Sequence, residues 1–144
     1  MRTSARNQFQ GRITAIHSKT YSDDIEVTLP GGTRLLAAIP GESTQELGLQ
    51  VGSTVIALIK APWVIVVTGE EGVRFSARNR LGGVVRCLRP GTVNTEVVLA
   101  LDGGGFLTAM VTRESAESMA LWEGQRAWAL FKASSVILGA PSAA

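Results

Sequence analysis

The chain has 144 residues, 45% of them hydrophobic, which is enough for one ordinary domain or two very small ones with packed interiors. Its formal charge of +2, from 14 basic and 12 acidic side chains, makes no field that would gather nucleic acid by itself, so any anion preference has to be local. A single cysteine, Cys87, and a single histidine, His17, exclude a disulfide framework and a four-ligand zinc site within one chain, and a reducing compartment fits.

The opening Met1-Arg2-Thr3-Ser4-Ala5-Arg6 has no apolar signal core, and no later run approaches the roughly 18 apolar residues of a membrane span. The sequence therefore reads as soluble and cytoplasmic. Ser4-Ala5-Arg6-Asn7 recurs as Ser76-Ala77-Arg78-Asn79 and Gly11 as Gly83, both at a spacing of 72 residues, which marks an internal repeat. Aligning Glu26-Val27 with Glu96-Val97 gives a spacing of 70, which implies two extra residues in the first copy around Lys19 to Asp24. The spacing returns to 72 at Gly31-Gly32 and Gly103-Gly104 and holds through Lys60/Lys132 and Val64-Ile65/Val136-Ile137. The copies are read as domains at 3–68 and 75–138, joined by a linker at 69–74 of polar, Gly-containing composition.

Each copy opens with a strand-like run, Arg12 to Ile16 and Val84 to Leu88. Period-two alternation follows, with Ile25, Val27 and Leu29 on one face of the first copy and Val97, Leu99 and Leu101 on that of the second. The Gly-Gly pairs predict hairpin turns into return strands at Leu35 to Ile39 and Leu107 to Val111. Ser43-x-x-Glu46 has the pattern of a capping box and predicts one short helical turn, and the second copy reads Thr112-Arg113-Glu114-Ser115, with an equivalent capping residue. Two apolar runs close each copy, Val55 to Ile59 with Val64 to Val67, and Ala127 to Phe131 with Val136 to Leu138, and the Lys-Ala-x-x between them predicts another hairpin. Five strands and a helical turn in each copy give an all-β fold class: two tandem five-stranded Greek-key barrels of the oligonucleotide/oligosaccharide-binding (OB) type. A unit of about 60 residues buries only about 60% of its unfolded surface, so packing between copies or chains is expected.

Catalysis finds no support, because His17 is matched by Arg89 and no paired carboxylates recur except Glu42 and Glu114, which suit the first turn of a helix. Cys87 reads as a small buried apolar group. What recurs is a set of donors: Ser4, Arg6, Asn7, Ser43 and Lys60, then Ser76, Arg78, Asn79, Ser115 and Lys132. Donors without acceptors suit a small oxyanion rather than a bare metal cation. The residues alone leave three readings open: an anion site, capped turns of purely structural role, and a nucleic-acid surface.

Ser-Ala-Arg-Asn followed by a glycine, the Gly-Gly hairpin, Val111-Thr112-x-x-Ser115 and Lys132-Ala133-Ser134-Ser135-Val136-Ile137-Leu138 together resemble the molbindin or Mop domain, over nearly the whole chain and in its tandem form. That resemblance implies an OB-like barrel, a homotrimer, and molybdate or tungstate held at subunit contacts, with no cofactor, no catalytic residue and no bare metal ion. It implies oxyanion-binding roles for Ser76, Ala77, Arg78, Thr112, Ser115, Lys132 and Ala133, and for Ser4, Ala5, Arg6, Ser43, Lys60 and Ala61 of the first copy. The first copy departs from the pattern where Pro40 stands for Thr112 and Pro62-Trp63 for Ser134-Ser135, and proline offers neither hydroxyl nor N–H. Sites that pair one copy's lysine with the other's Thr-x-x-Ser are compatible with the repeat. The expected role is molybdate storage and homeostasis, without nucleic acid or membrane as partner. A regulator or transporter ATPase is not expected, since the sequence has no DNA-binding helix pair and no Gly-x-x-x-x-Gly-Lys loop. The alternative is a single-strand nucleic-acid binder on the same barrel, which wants exposed aromatics along a basic groove.

Overall fold

The computed structural model describes residues 1–69 and 72–142; Glu70 and Glu71 of the expected linker lie outside the described residues. The first copy runs β1 (Asn7–Ser18), β2 (Asp23–Thr28), β3 (Arg34–Ile39), α1 (Gly41–Glu46), β4 (Thr54–Ile59), a 3-10 turn (Ala61–Trp63) and β5 (Ile65–Val67). The second repeats this order as β6 (Asn79–Pro90), β7 (Asn94–Leu101), β8 (Phe106–Thr112), α2 (Arg113–Ser118), β9 (Arg126–Phe131), a 3-10 turn (Ala133–Ser135) and β10 (Ile137–Gly139). The fold is all-β, as the alternation predicts. No helix among the described residues is long and apolar enough to cross a membrane.

The long first strand does two jobs. Its first half, Asn7 to Arg12, pairs with β4, and its second half, from Arg12 to Ser18, pairs with β2, with a bulge between Ile13 and Ala15. Strand β6 repeats this, with its bulge between Val85 and Cys87. A bulge bends and twists a strand, so one strand can serve both neighbours of a curled sheet. Gly11 and Gly83 stand just before the switch because a Cβ there has no room: on Gly11 it would lie 2.7 Å from the Thr28 carbonyl oxygen, and on Gly83 it would run into the Ala100 carbonyl.

The two sheets are ordered β10-β4-β1-β2-β3 and β5-β9-β6-β7-β8. The last two runs of each copy therefore do not form the predicted hairpin. Strand β5 pairs with β9, and β10 pairs with β4, so each copy's last strand completes the other copy's sheet. The link between the runs explains this. Neither 3-10 turn contains a residue with positive φ, and both are flanked by extended residues, Lys60 and Val64 in one and Lys132 and Val136 in the other. Such a link redirects the chain without folding it back on itself.

Two compact units result: Met1–Ile59 together with the chain from Lys132 onward, and Lys60–Phe131. In the first, Ile13, Ile25, Val27, Leu35, Val55 and Ile59 are buried, and Val136 and Leu138 join them. In the second, Val85, Val97, Leu99, Leu107 and Phe131 are buried together with Val64 and Val66. Burying a valine or leucine side chain contributes about 1.5–3 kcal/mol, so the exchanged segments are substantial parts of both cores.

The spacing of 70 at Glu26-Val27 is also corrected. Ile25 faces Ala37 and Val97 faces Ala109, while Ile13 faces Val27 and Val85 faces Leu99, so the copies correspond at 72 throughout β2 and β7. Glu26 matches Val98, and the first copy has no inserted pair. A slip of two residues leaves the inward and outward faces of a strand unchanged, so alternation alone does not distinguish the two alignments.

Both helices end in the same motif. Gly48 N–H donates to the Gln45 carbonyl and Leu49 N–H to that of Thr44, and Ala120 and Leu121 do likewise with Glu117 and Ala116. This termination requires a left-handed residue, φ 63° at Gly48 and φ 50° at Ala120. Alanine there carries steric strain that glycine avoids. Ala120→Gly is expected to stabilise the protein by about 0.5–1 kcal/mol, seen as a rise in Tm, and Gly48→Ala is expected to lower it.

The second unit carries a cluster of two arginines, a tryptophan and an aspartate. Arg80 and Arg126 lie over the ring of Trp128 at 4.2 and 4.8 Å, and Arg126 holds Asp102 through two bonds of 2.5 Å. Gly82 leaves the space, since a Cβ would meet Arg126 and Trp128 at 2.6 Å. The hydrogen bond from Arg126 lowers the Asp102 pKa below its ordinary value of 3.8. The pair's contribution is therefore complete above that value and lost as pH falls through the lower folded one. Both side chains are about half exposed, so it is small. The Tm difference between the wild type and Asp102→Asn should shrink on acidification below pH 3.8.

Candidate functional site

The Ser-Ala-Arg-Asn segments lead directly into β1 and β6. Asn7 and Asn79 are buried, at 3% and 2% exposure, and Asn7 Nδ2 donates to the Ile59 carbonyl at 3.1 Å. A buried amide that finds such a partner ties strand to strand, so the asparagine of the motif is structural and the candidate donors are the residues before it. Ser4, Arg6, Ser76 and Arg78 are exposed, while Ala5 and Ala77 are half-buried. The Ala5 N–H is already engaged, donating to Thr3 Oγ1 at 3.1 Å. Phe75 occupies the corresponding place before Ala77 and offers no such acceptor.

The helix starts differ more. Thr112 is the N-cap of α2; its Oγ1 accepts from the Ser115 N–H at 3.0 Å and lies 2.7 Å from the Ser115 hydroxyl. Two hydroxyls are thus held together on an exposed helix start. Helix α1 begins three residues earlier than the Ser43-x-x-Glu46 pattern predicts. Its N-cap is Pro40, with no side-chain cap, and Ser43 lies inside the first turn, where its N–H donates to the Pro40 carbonyl at 2.9 Å. The Ser-x-x-Glu pattern is a coincidence of composition here, because the chain has already turned helical at Gly41.

Asp23, buried in β2, stands beside that start: a Cβ on Gly41 would be 3.7 Å from Asp23 Oδ2. The corresponding residue of the second copy is Thr95, since Asp23 faces Ile39 as Thr95 faces Val111. A carboxylate suits the positive end of a helix but repels an arriving anion. The first unit's helix start is therefore both poorer in hydroxyls and carries a nearby negative charge. Sequence reasoning missed Asp23, because it lies in the stretch read as carrying two extra residues, which hid its equivalence to Thr95.

Lys60 and Lys132 are the N-caps of the 3-10 turns, with Ala61 and Ala133 buried behind them. The first turn lies against β8, the strand that runs into Thr112, and the second lies against β3, the strand that runs into Pro40. Each lysine thus belongs to the compact unit that carries the other copy's helix start. The unit Lys60–Phe131 contains Lys60, Ala61, Ser76, Ala77, Arg78, Thr112 and Ser115; the other contains Lys132, Ala133, Ser4, Ala5, Arg6 and Ser43. Among the described residues, no group of three or more His, Cys, Asp or Glu is placed to hold a metal ion. Exposed donors of both kinds, hydroxyl and cation, are what the arrangement offers a ligand.

Thr112→Ala should remove the cap of α2 and cost about 0.5–2 kcal/mol, measurable by chemical denaturation, whereas Thr112→Ser should retain most of it.

A family model described as TOBE domain matches residues 3–66 and again 76–138. The molybdenum-pterin-binding protein MopA of Rhodobacter capsulatus is 42% identical over 141 residues, covering 98% of this chain and 53% of MopA. The DNA-binding transcriptional dual regulator ModE of Escherichia coli (strain K12) is 41% identical over 139 residues, covering 96% of this chain and 52% of ModE. The chain spans about half the length of these curated relatives. A solved structure of the cytoplasmic molybdate-binding protein ModG, with molybdate bound, matches with a TM-score of 0.93 and 44% identity, covering 98% of this chain and 100% of that one.

Proposed function

This chain belongs to the molbindin (Mop) family in its tandem form, with two TOBE domains in one polypeptide, and on that premise we propose that it binds molybdate, and tungstate as its close analogue, as an intracellular store of the oxyanion. The observation that carries this reading is the full-length likeness to a protein solved with molybdate bound. The donor chemistry agrees with it. Two hydroxyls fixed at the start of α2, a lysine at each 3-10 turn and an arginine before each first strand match the several oxygens of a tetrahedral dianion.

The binding sites are completed between copies of the chain, in a homotrimer. Ile65 and Ile137 support this: they occupy the same position in the two repeats, each on an edge strand, and are 61% and 50% exposed. An isoleucine left twice in water on a short sheet edge is well used if a neighbouring chain covers it. The site residues proposed are Ser4, Ala5, Arg6, Ser43, Lys60 and Ala61 with Ser76, Ala77, Arg78, Thr112, Ser115, Lys132 and Ala133.

A ligand that binds only the native state stabilises it by RT ln(1 + [L]/Kd), about 2.7 kcal/mol at a hundredfold excess over Kd. For a protein of this size that corresponds to a rise in Tm of about 5–10 °C. Thermal melts at equal ionic strength should show this rise with molybdate and tungstate but not with sulfate or phosphate, and a smaller one for Lys132→Ala. An equal response to all four anions, or none, rejects the proposal and turns attention to single-stranded oligonucleotides. Sedimentation should give a trimer.

A further inference from the structure

The two 3-10 turns have the same backbone and different side chains. Lys60 and Lys132 sit at φ −71°, ψ 134° and φ −73°, ψ 144°. In each, the third residue of the turn donates back to the lysine carbonyl, Trp63 at 3.0 Å and Ser135 at 2.9 Å. What differs is the environment of the ammonium. Lys60 Nζ lies 5.6 Å from the centre of the Trp63 ring, and Trp63 is 42% exposed. Beside Lys132, the corresponding positions are Ser134 and Ser135.

We propose that Trp63 is a positioning residue for Lys60, holding its ammonium over the indole so that it meets the bound oxyanion already oriented. The inference rests on the oxyanion-binding reading above. A lysine side chain is otherwise a flexible four-carbon stem, and fixing it on binding costs rotamer entropy. A ring on one flank removes part of that cost in advance and excludes water on that side. The ring also leaves ammonium N–H groups unobstructed, since an ammonium has three donors and the ring faces only one flank. At 5.6 Å the contact is near the outer limit of a cation–π interaction, so it orients the lysine without sequestering it.

The substitution of Ser-Ser by Pro-Trp is then an exchange of means: the first copy's turn loses two hydroxyls and gains a fixed cation. It does so in the unit that carries Thr112 and Ser115, where hydroxyls are already supplied. The tryptophan stands where the loss of the serines is most easily tolerated.

The test is a double-mutant cycle read by calorimetric titration with sodium molybdate, using the wild type, Lys60→Ala, Trp63→Ser and the double variant. Trp63→Phe serves as the conservative control, and circular dichroism confirms folding of each. An exposed cation–π contact of about 0.5–1 kcal/mol corresponds to a twofold to fivefold weaker association for Trp63→Ser. Trp63→Phe should recover most of that loss, and Trp63→Ser should add nothing once Lys60 is alanine. Molybdate should also change the fluorescence of the wild type in a way that Trp63→Phe lacks. Unchanged affinity in Trp63→Ser, or a loss that persists in full without Lys60, overturns the positioning role while leaving molybdate binding intact. A wild type that gives no heat with molybdate overturns the binding function itself, and this inference with it.

Discussion

The constraint on which the rest of this protein depends is that neither repeat finishes its own sheet. Strand β4 needs a second neighbour and finds it in β10; β9 needs one and finds it in β5. Without that neighbour, each sheet would present an unpaired row of N–H and C=O groups beside a core missing two of its apolar side chains, and such an edge invites association with any available strand. Carrying both copies in one polypeptide supplies the missing strand from within the chain, at the high effective concentration that a linked segment has. The duplication thus completes both sheets from within one chain.

The exchange decides where the chemistry falls. The lysines lie at the crossings, immediately after β4 and β9, so each joins the compact unit of the other copy's helix start. The donor-poor features of the first copy are consequently separated. Pro40 and the Asp23 carboxylate share a unit with Lys132, Ser134 and Ser135, whereas Pro62 and Trp63 share one with the capped pair Thr112 and Ser115. Each unit has one half rich in hydroxyls and one half poor in them. Read along the sequence, the first copy looks like a degraded version of the second; in space, the losses are shared.

Much of this was legible in the sequence. Identities at a spacing of 72 exposed the repeat, period-two runs placed the strands, and the Thr112 to Ser115 segment announced a capped helical turn. The failures share a physical cause. The inward face of β5 says that it must cover a core, not which core, since an apolar stripe is not specific for its neighbour; only the conformation of Lys60 and Val64 on either side of the turn sends the strand away from β4. Similarly, Glu26-Val27 and Glu96-Val97 matched at the wrong spacing because a two-residue shift preserves every inward-facing side chain, and the register is visible only in pairs such as Ile13 with Val27. Ser43-x-x-Glu46 satisfied a pattern whose hydrogen bonds were never made, because Pro40 had already fixed the start of the helix. Asp23 and the contact of Trp63 with Lys60 carry no pattern at all, since each is a meeting of residues whose adjacency the backbone creates.

A consequence for divergence follows from the same topology. Substitutions in one copy are felt in both compact units, because its helix start lies in one and its lysine turn in the other. What can change locally is the means by which a donor is presented: a hydroxyl, a backbone N–H, or a cation held in place by a neighbour. Helix α1 and its 3-10 turn keep the backbone of their counterparts while replacing threonine with proline and serine with tryptophan. The element shared by the two copies is therefore the path of the main chain, and the side chains along it are what differ.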